Sequence, residues 1–235
     1  MLRHPIDESV PSSAMTETAE NRIREFRRDF DWLQMYYQFG IEEVRTKVNI
    51  LRQEFEKIHT YSPIEHVRYR LKSFESLLDK IARIDCEMSI PAIRETIRDI
   101  AGIRITCSFV SDVYWIASML GQQTDLTVVE TKDYIAEPKP NGYQSLHLIV
   151  RVPVFLSDHT EHIFVELQIR TIAMDFWASV EHKLTYKYPS EIPDHLQGEL
   201  DAAARAVSDL DARMAQLRDE IRNMDTNGHL PRGDS

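Results

Sequence analysis

Apolar residues recur at three- and four-residue steps in two long stretches, one toward each end of the chain, and alternate with polar residues in the segment between them. In the first stretch Phe30, Leu33, Tyr37, Ile41, Val44, Val48, Leu51, Phe55 and Ile58 mark one face of a helical pattern between Asn21 and Ile58. That pattern predicts two helices, or one interrupted near Gly40. In the last stretch Leu200, Ala203, Val207, Leu210, Met214, Leu217, Ile221 and Met224 form a single apolar seam with charged residues between them, within an amphipathic helix over 191–226. Such a seam serves a helix packed on its own domain or one packed on another subunit. Residues 1–20 lack this periodicity and read as a disordered leader, and the turn-forming residues Asn227-Gly228 open a tail over 227–235.

In the middle, a period of two predicts strands at Val67–Lys72, Ile103–Val110, Leu126–Glu130, Leu146–Phe155 and Ile163–Arg170. Helical patterns fill the gaps. Ser73 is placed to cap a helix reaching Ile84, Ser89 one reaching Ile100, Ser111 one reaching Leu120, and Thr171 one ending before Pro189. The expected fold class is α+β: a mixed, roughly five-stranded sheet flanked by helices over 61–190, with helical extensions at 21–60 and 191–226.

Alternation also assigns faces, because successive strand side chains point to opposite sides. Val67, Tyr69 and Leu71 share one side of the first strand, while Arg68, Arg70 and Lys72 share the other, three positive charges within about 13 Å at 3.3 Å per residue. Arg104, Thr106 and Ser108 repeat the pattern on the second strand, and Glu166, Gln168 and Arg170 on the last, with His147 between Leu146 and Leu148 on the fourth. The sheet acquires a basic, hydrogen-bonding floor with one carboxylate. A solvated face carrying ordinary surface charges explains alternation alone equally well. Asp99, expected at the end of a helix just before a turn at Ala101-Gly102, adds a second carboxylate beside the floor, and two carboxylates with phosphate oxygens and water suit Mg²⁺.

Composition narrows the chemistry. A formal net charge of −10 argues against wrapping DNA or lying on an anionic membrane. No apolar run approaches the length of a membrane span and no secretory leader is visible, so the expected location is cytoplasmic. With no GxxxxGK[ST] and no GxGxxG, any nucleotide phosphates must be held by side chains. Cys86 and Cys107 have no metal-ligand spacing. From Lys132 to Ser145, two prolines, an Asn-Gly turn and two tyrosines describe an ordered loop, where a ring beside Lys and Asn suits a nucleobase.

Five segments together carry a resemblance: His66-Val67-Arg68-Tyr69-Arg70-Leu71-Lys72-Ser73, Arg98-Asp99-Ile100-Ala101-Gly102-Ile103-Arg104, Lys132-Asp133-Tyr134-Ile135, Pro140-Asn141-Gly142-Tyr143-Gln144-Ser145-Leu146-His147, and the run from Glu166 to Ala178. The stretch from Ser62 to Tyr188 resembles the synthetase domain of the RelA/SpoT superfamily, in particular its small single-domain alarmone synthetases of RelQ type. The resemblance implies a nucleotidyltransferase-like fold and transfer of pyrophosphate from ATP to the 3′-hydroxyl of GDP or GTP, with Mg²⁺ as cofactor. It implies that Arg70 and Arg104 sandwich adenine while Lys72 and Lys80 contact the ATP phosphates. By the same likeness Asp99 holds the metal, and Glu166 serves as general base, metal ligand, or both. Tyr143 then stacks on guanine, with Lys132, Asn141 and His147 around the guanosine nucleotide and Arg170 near its phosphates. It further implies a homotetramer joined through terminal helices, with an alarmone or a single-stranded RNA as regulator. His66 and Arg68 depart from the regulatory cleft of the likeness. The superfamily's hydrolase domain is not expected, since no His-Asp dipeptide occurs. Two other classes fit the floor: a nucleotidyltransferase-like enzyme with a different acceptor, and a noncatalytic RNA-binding protein or nucleotide sensor.

Overall fold

The computed structural model describes residues 12–59, 61–185 and 193–227. The first helix, α1 (Ser12–Ile58), runs through Gly40 without a break. Glycine costs about 1 kcal/mol against alanine in a helix interior, and here it serves close packing. A Cβ at position 40 would lie 2.7 Å from Ile163 Cγ2. The helix also begins inside the span expected to be a leader; residues 1–11 and the tail beyond Asn227 lie outside the described residues.

Five strands follow: β1 (Ile64–Leu71), β2 (Ala101–Cys107), β3 (Thr127–Asp133), β4 (Leu146–Phe155) and β5 (Thr160–Thr171). They form one sheet in the order β1-β2-β5-β4-β3, as expected for a mixed sheet. The β2/β5 pair is parallel and the other three pairs are antiparallel. Helices α2 (Phe74–Arg83), α3 (Ile90–Thr96), α4 (Val110–Gly121), α5 (Ile172–Thr185) and α6 (Asp194–Asn227) complete the chain.

One sheet face is the core. Ile103, Ile105, Leu148, Val150, Val165, Leu167 and Ile169 are buried against Phe30, Leu33, Ile41, Val44 and Val48 of α1 and Val113, Ile116 and Leu120 of α4. Burial of each large side chain contributes roughly 1.5–3 kcal/mol. β1 is an edge strand whose apolar face is only partly covered: Tyr69 is exposed, with the Arg45 guanidinium 5.4 Å from its ring centre.

Three local expectations change. α3 stops at Thr96, so Asp99 sits in the turn after it, and Ala101 and Gly102 already belong to β2. α4 starts at Val110, where the Asp112 carboxylate accepts from the Phe109 N–H; Ser111 instead accepts a hydrogen bond from Arg218 Nη1 at 2.8 Å. β3 extends to Asp133 because a bulge between Val128 and Glu130 lets it follow β4.

Candidate active site

Strand register brings the polar residues of five strands into rows. Arg70, Gly102, Glu166, Ile149 and Glu130 are cross-strand neighbours in one row, and Arg68, Arg104, Gln168, His147 and Lys132 in the next. A hollow of about 200 Å³ opens between Arg68, Arg70, Gly102, Arg104 and Gln168. Gly102 forms part of its wall, where a Cβ would make ordinary contact with the Arg70 side chain at 3.6 Å. A cleft of about 350 Å³ lies beside it, lined by Lys80, Arg98, Asp99, Glu130, Lys132 and Glu166 among others.

Asp99 is gripped by two cations. Lys72 Nζ is 3.2 Å from Oδ2 and Lys80 Nζ is 2.7 Å from Oδ1. Burial pushes the Asp99 carboxyl up, but the two ammonium groups outweigh it and hold the group below the ordinary carboxylate range. Glu166 follows the same logic with different partners. Burial raises its proton affinity, and the contacts from His147 Nδ1 at 3.1 Å and Gln168 Nε2 at 2.9 Å more than reverse it. Both carboxylates therefore stay ionised at neutral pH.

These two groups fit a hard divalent cation. No cluster of three or more acidic, imidazole or thiolate ligands exists among the described residues. Asp99 and Glu166 would offer the one or two carboxylates that Mg²⁺ ordinarily takes from a protein, leaving its other positions to substrate phosphates and water. That Asp99 already draws two lysines marks a place built to receive positive charge.

The loop leading into β4 is closed by backbone hydrogen bonds from Tyr134 to Ser145, from Lys139 to Tyr143 and from Gly142 to Lys139. Gly142 adopts φ +80°, a left-handed conformation that glycine enters freely. Asn141 Oδ1 accepts from the Tyr143 N–H at 3.3 Å, and its amide donates to Glu181 at 3.3 Å. The Lys139 ammonium sits 4.6 Å from the ring centre of Tyr134 and 5.0 Å from that of Tyr143. Helix α6 backs the loop. A Cβ on Gly142 would come within 2.5 Å of Ala204 Cβ, and Ser208 Oγ donates to Gln144 at 3.0 Å.

Asp99, Glu166, Lys80 and Lys132 line one cleft, and Arg70 and Arg104 line the hollow next to it. Lys72 joins the cleft through Asp99, and Tyr143 and His147 join it through a hydrogen-bonded chain to Glu166. Arg170 is different. It is 1% exposed, and its Nη2 lies 2.8 Å from Asp175 Oδ1, so it is buried in an ion pair and does not open to the cleft. Asp175 also reaches Arg104 at 3.4 Å.

The sequence reading missed Arg98, Glu130, Lys139 and Asp175 as members of the site, and it left Gln168 without a role. Glu130 was signalled by its place two residues before Lys132 on one strand, where it pairs with that lysine at 2.9 Å. Asp175 had no such signal, because its partners lie on two strands and meet it only when α5 folds back.

Comparison with known proteins agrees with this arrangement. Residues 69–191 match the region found in RelA / SpoT proteins, more than half of the chain. The chain belongs to that family. Among its relatives is the GTP pyrophosphokinase YwaC of Bacillus subtilis, 47% identical over 193 residues that cover 81% of this chain and 92% of YwaC. The GTP pyrophosphokinase YjbM of the same organism is 43% identical over 186 residues, 79% of this chain and 86% of YjbM. Among solved structures, small alarmone synthetase 1 from Bacillus subtilis bound to its product pppGpp superposes with a TM-score of 0.77 at 40% identity, covering 83% of this chain and 98% of that one.

Proposed function

We propose that the chain is a single-domain alarmone synthetase that moves pyrophosphate from ATP to the 3′-hydroxyl of GDP or GTP and releases AMP. The observation that carries this reading is the pair Asp99 and Glu166, facing one cleft between the Arg70/Arg104 hollow and the Tyr143 loop. A pure anion-binding surface gains nothing from carboxylates beside phosphates, which counts against an RNA-binding or sensing role. The names of YwaC and YjbM and the pppGpp-bound neighbour support a guanosine acceptor.

In this reading adenine lies between the Arg70 and Arg104 guanidiniums, which stack on a base better than ammonium groups do. Lys72 and Lys80 turn from Asp99 to the ATP phosphates. Mg²⁺ bound by Asp99 and Glu166 would neutralise charge on the transferred group. Guanine stacks on Tyr143, with Lys132 and Asn141 at the rim. Glu166 takes the proton of the 3′-hydroxyl as that oxygen attacks the β-phosphorus in line, and the oxygen bridging the α- and β-phosphorus leaves with AMP. Positioning and charge neutralisation account for most catalysis of this kind.

The exposed seam of Leu210, Met214, Leu217, Ile221 and Met224 supports assembly of copies, proposed as a homotetramer. An alarmone or a single-stranded RNA is the proposed regulator, although His66 and Arg68, both exposed on the edge strand, depart from the regulatory cleft of the likeness, which counts against activation by product. No helix among the described residues is long and apolar enough to cross a membrane, and the proposed location is the cytoplasm. Incubation with Mg²⁺, γ-labelled ATP and each guanosine nucleotide should move label onto the guanosine nucleotide. Label found solely as free phosphate would make the protein an ATPase. Glu166→Gln should bind both nucleotides and lose about 10²–10⁴-fold in turnover, the usual worth of general base catalysis.

A further inference from the structure

Glu166 is held from both sides. Gln168 Nε2 donates to Oε2 at 2.9 Å, and His147 Nδ1 lies 3.1 Å from Oε1. His147 is 9% exposed, and the Tyr134 ring meets its imidazole edge to face at 5.2 Å. Its second nitrogen is pinned as well: the Tyr143 hydroxyl sits 2.9 Å from Nε2. An ionised carboxylate can only accept, so Nδ1 carries the proton that points at Glu166. In the neutral ring Nε2 is then an acceptor, and the Tyr143 O–H donates to it. With the ring neutral, the hydrogen bonds run from Tyr143 through His147 to Glu166.

We infer that His147 is a positioning residue for Glu166, and that Tyr143 serves the site twice, with its ring face for the acceptor base and with its hydroxyl for the orientation of the carboxylate. This rests on the proposed transfer reaction and deepens it, and it moves His147 from contact with the guanosine nucleotide to a place behind the base. The physical reason is geometric. A glutamate side chain has three rotatable bonds and reaches many orientations in an open cleft, whereas general base catalysis needs the oxygen within about 2.6–3.2 Å of the proton it takes. Donors on both oxygens fix the carboxylate plane. The carboxylate selects the Nδ1–H donor, and the Tyr143 hydroxyl on Nε2 holds the ring in that orientation. Since the same tyrosine ring receives the base, an acceptor that stacks well also steadies the chain that aims Glu166. An acceptor that stacks poorly gains less in turnover as well as in binding.

The test separates turnover from binding at saturating Mg²⁺-ATP. His147→Leu should lower kcat about 100-fold while the KM for GDP stays within about threefold, and His147→Asn, whose amide nitrogen replaces the Nδ1 donor, should recover at least about tenfold of kcat. Tyr143→Phe keeps the stacking face and should lower kcat with little change in KM; Tyr143→Ala should raise the KM for GDP by about 5- to 150-fold, the range of one lost base stack. If His147→Leu raises KM and leaves kcat intact, the imidazole touches the acceptor and the inference falls. It also falls if His147→Asn is no better than His147→Leu while melting at the wild-type temperature. Should the leucine variant not fold, Tyr143→Phe decides alone: wild-type kcat overturns the chain. Absence of transfer by the wild-type protein would sink the reaction itself, an outcome distinct from all of these.

Discussion

Asp175 holds two arginines with one carboxylate, and Asp175→Asn shows what that arrangement is worth. Arg170 Nη2 is 2.8 Å from Asp175 Oδ1 and Arg104 Nη1 is 3.4 Å away, with Arg170 itself only 1% exposed. Asparagine keeps the volume and one acceptor but removes the charge, leaving a buried guanidinium without compensation. Breaking a buried ion pair costs about 3–5 kcal/mol, and the partial exposure of Asp175 places this case near 3. For a chain of this size that converts to a fall in Tm of roughly 6–12 °C. The Arg104 contact is more exposed and contributes at most about 1 kcal/mol, which would appear as a roughly fivefold rise in the KM for ATP. Thermal melts followed by ATP titration read both quantities. A second variant sharpens the reasoning: Arg170→Met with Asp175→Asn removes both charges and should regain part of the lost stability, because the penalty belongs to the orphaned charge. A single variant melting within about 2 °C of wild type, or a double variant as unstable as the sum of the two single ones, would refute it.

Two further outcomes follow from the same side of the sheet. Gly142→Ala should cost about 1–2 kcal/mol for a left-handed alanine and a further 1–3 for the clash with Ala204, a total of roughly 2–5 in chemical denaturation. Adding Ala204→Gly should return the second part less about 1 kcal/mol, the cost of glycine inside α6. Asp211 is buried and accepts a hydrogen bond from Thr171 Oγ1 at 2.7 Å, and burial pushes its carboxyl up. A carboxyl raised on folding loses stability as pH climbs through its folded value, so Asp211→Asn should melt higher than wild type at pH 7. That gain should shrink as pH falls into the ordinary carboxylate range, and a pH-independent difference would point to packing in place of charge.

Most of the site was legible because strand alternation is local. Arg70, Arg104, Glu166, Gln168 and His147 fall on one face by their positions in their own strands, and register merely sets them side by side. Sheet formation and the apolar seams were readable for the same reason. What escaped depended on distant parts of the chain. Arg170 carries the right parity for the floor, yet it is buried and paired with Asp175, and only the return of α5 places that carboxylate. Asp99 was expected at a helix end and lies in a turn instead, because α3 closes after seven residues, from Ile90 to Thr96. Gly40 has the composition of a helix break, and nothing near it in sequence says that Ile163 will fill the space its missing side chain leaves.

That glycine also bears on Glu166 from the opposite side of the sheet. The atoms nearest its absent Cβ belong to Ile163 and then Val165, so α1 packs at position 40 on the core face of β5, next to the residue that precedes Glu166. A methyl group at position 40 would press on the strand that carries Glu166 on its other face. The proposed chemistry lies on the front of the sheet, while the seat of its carboxylate depends on the back, at a position outside the cleft.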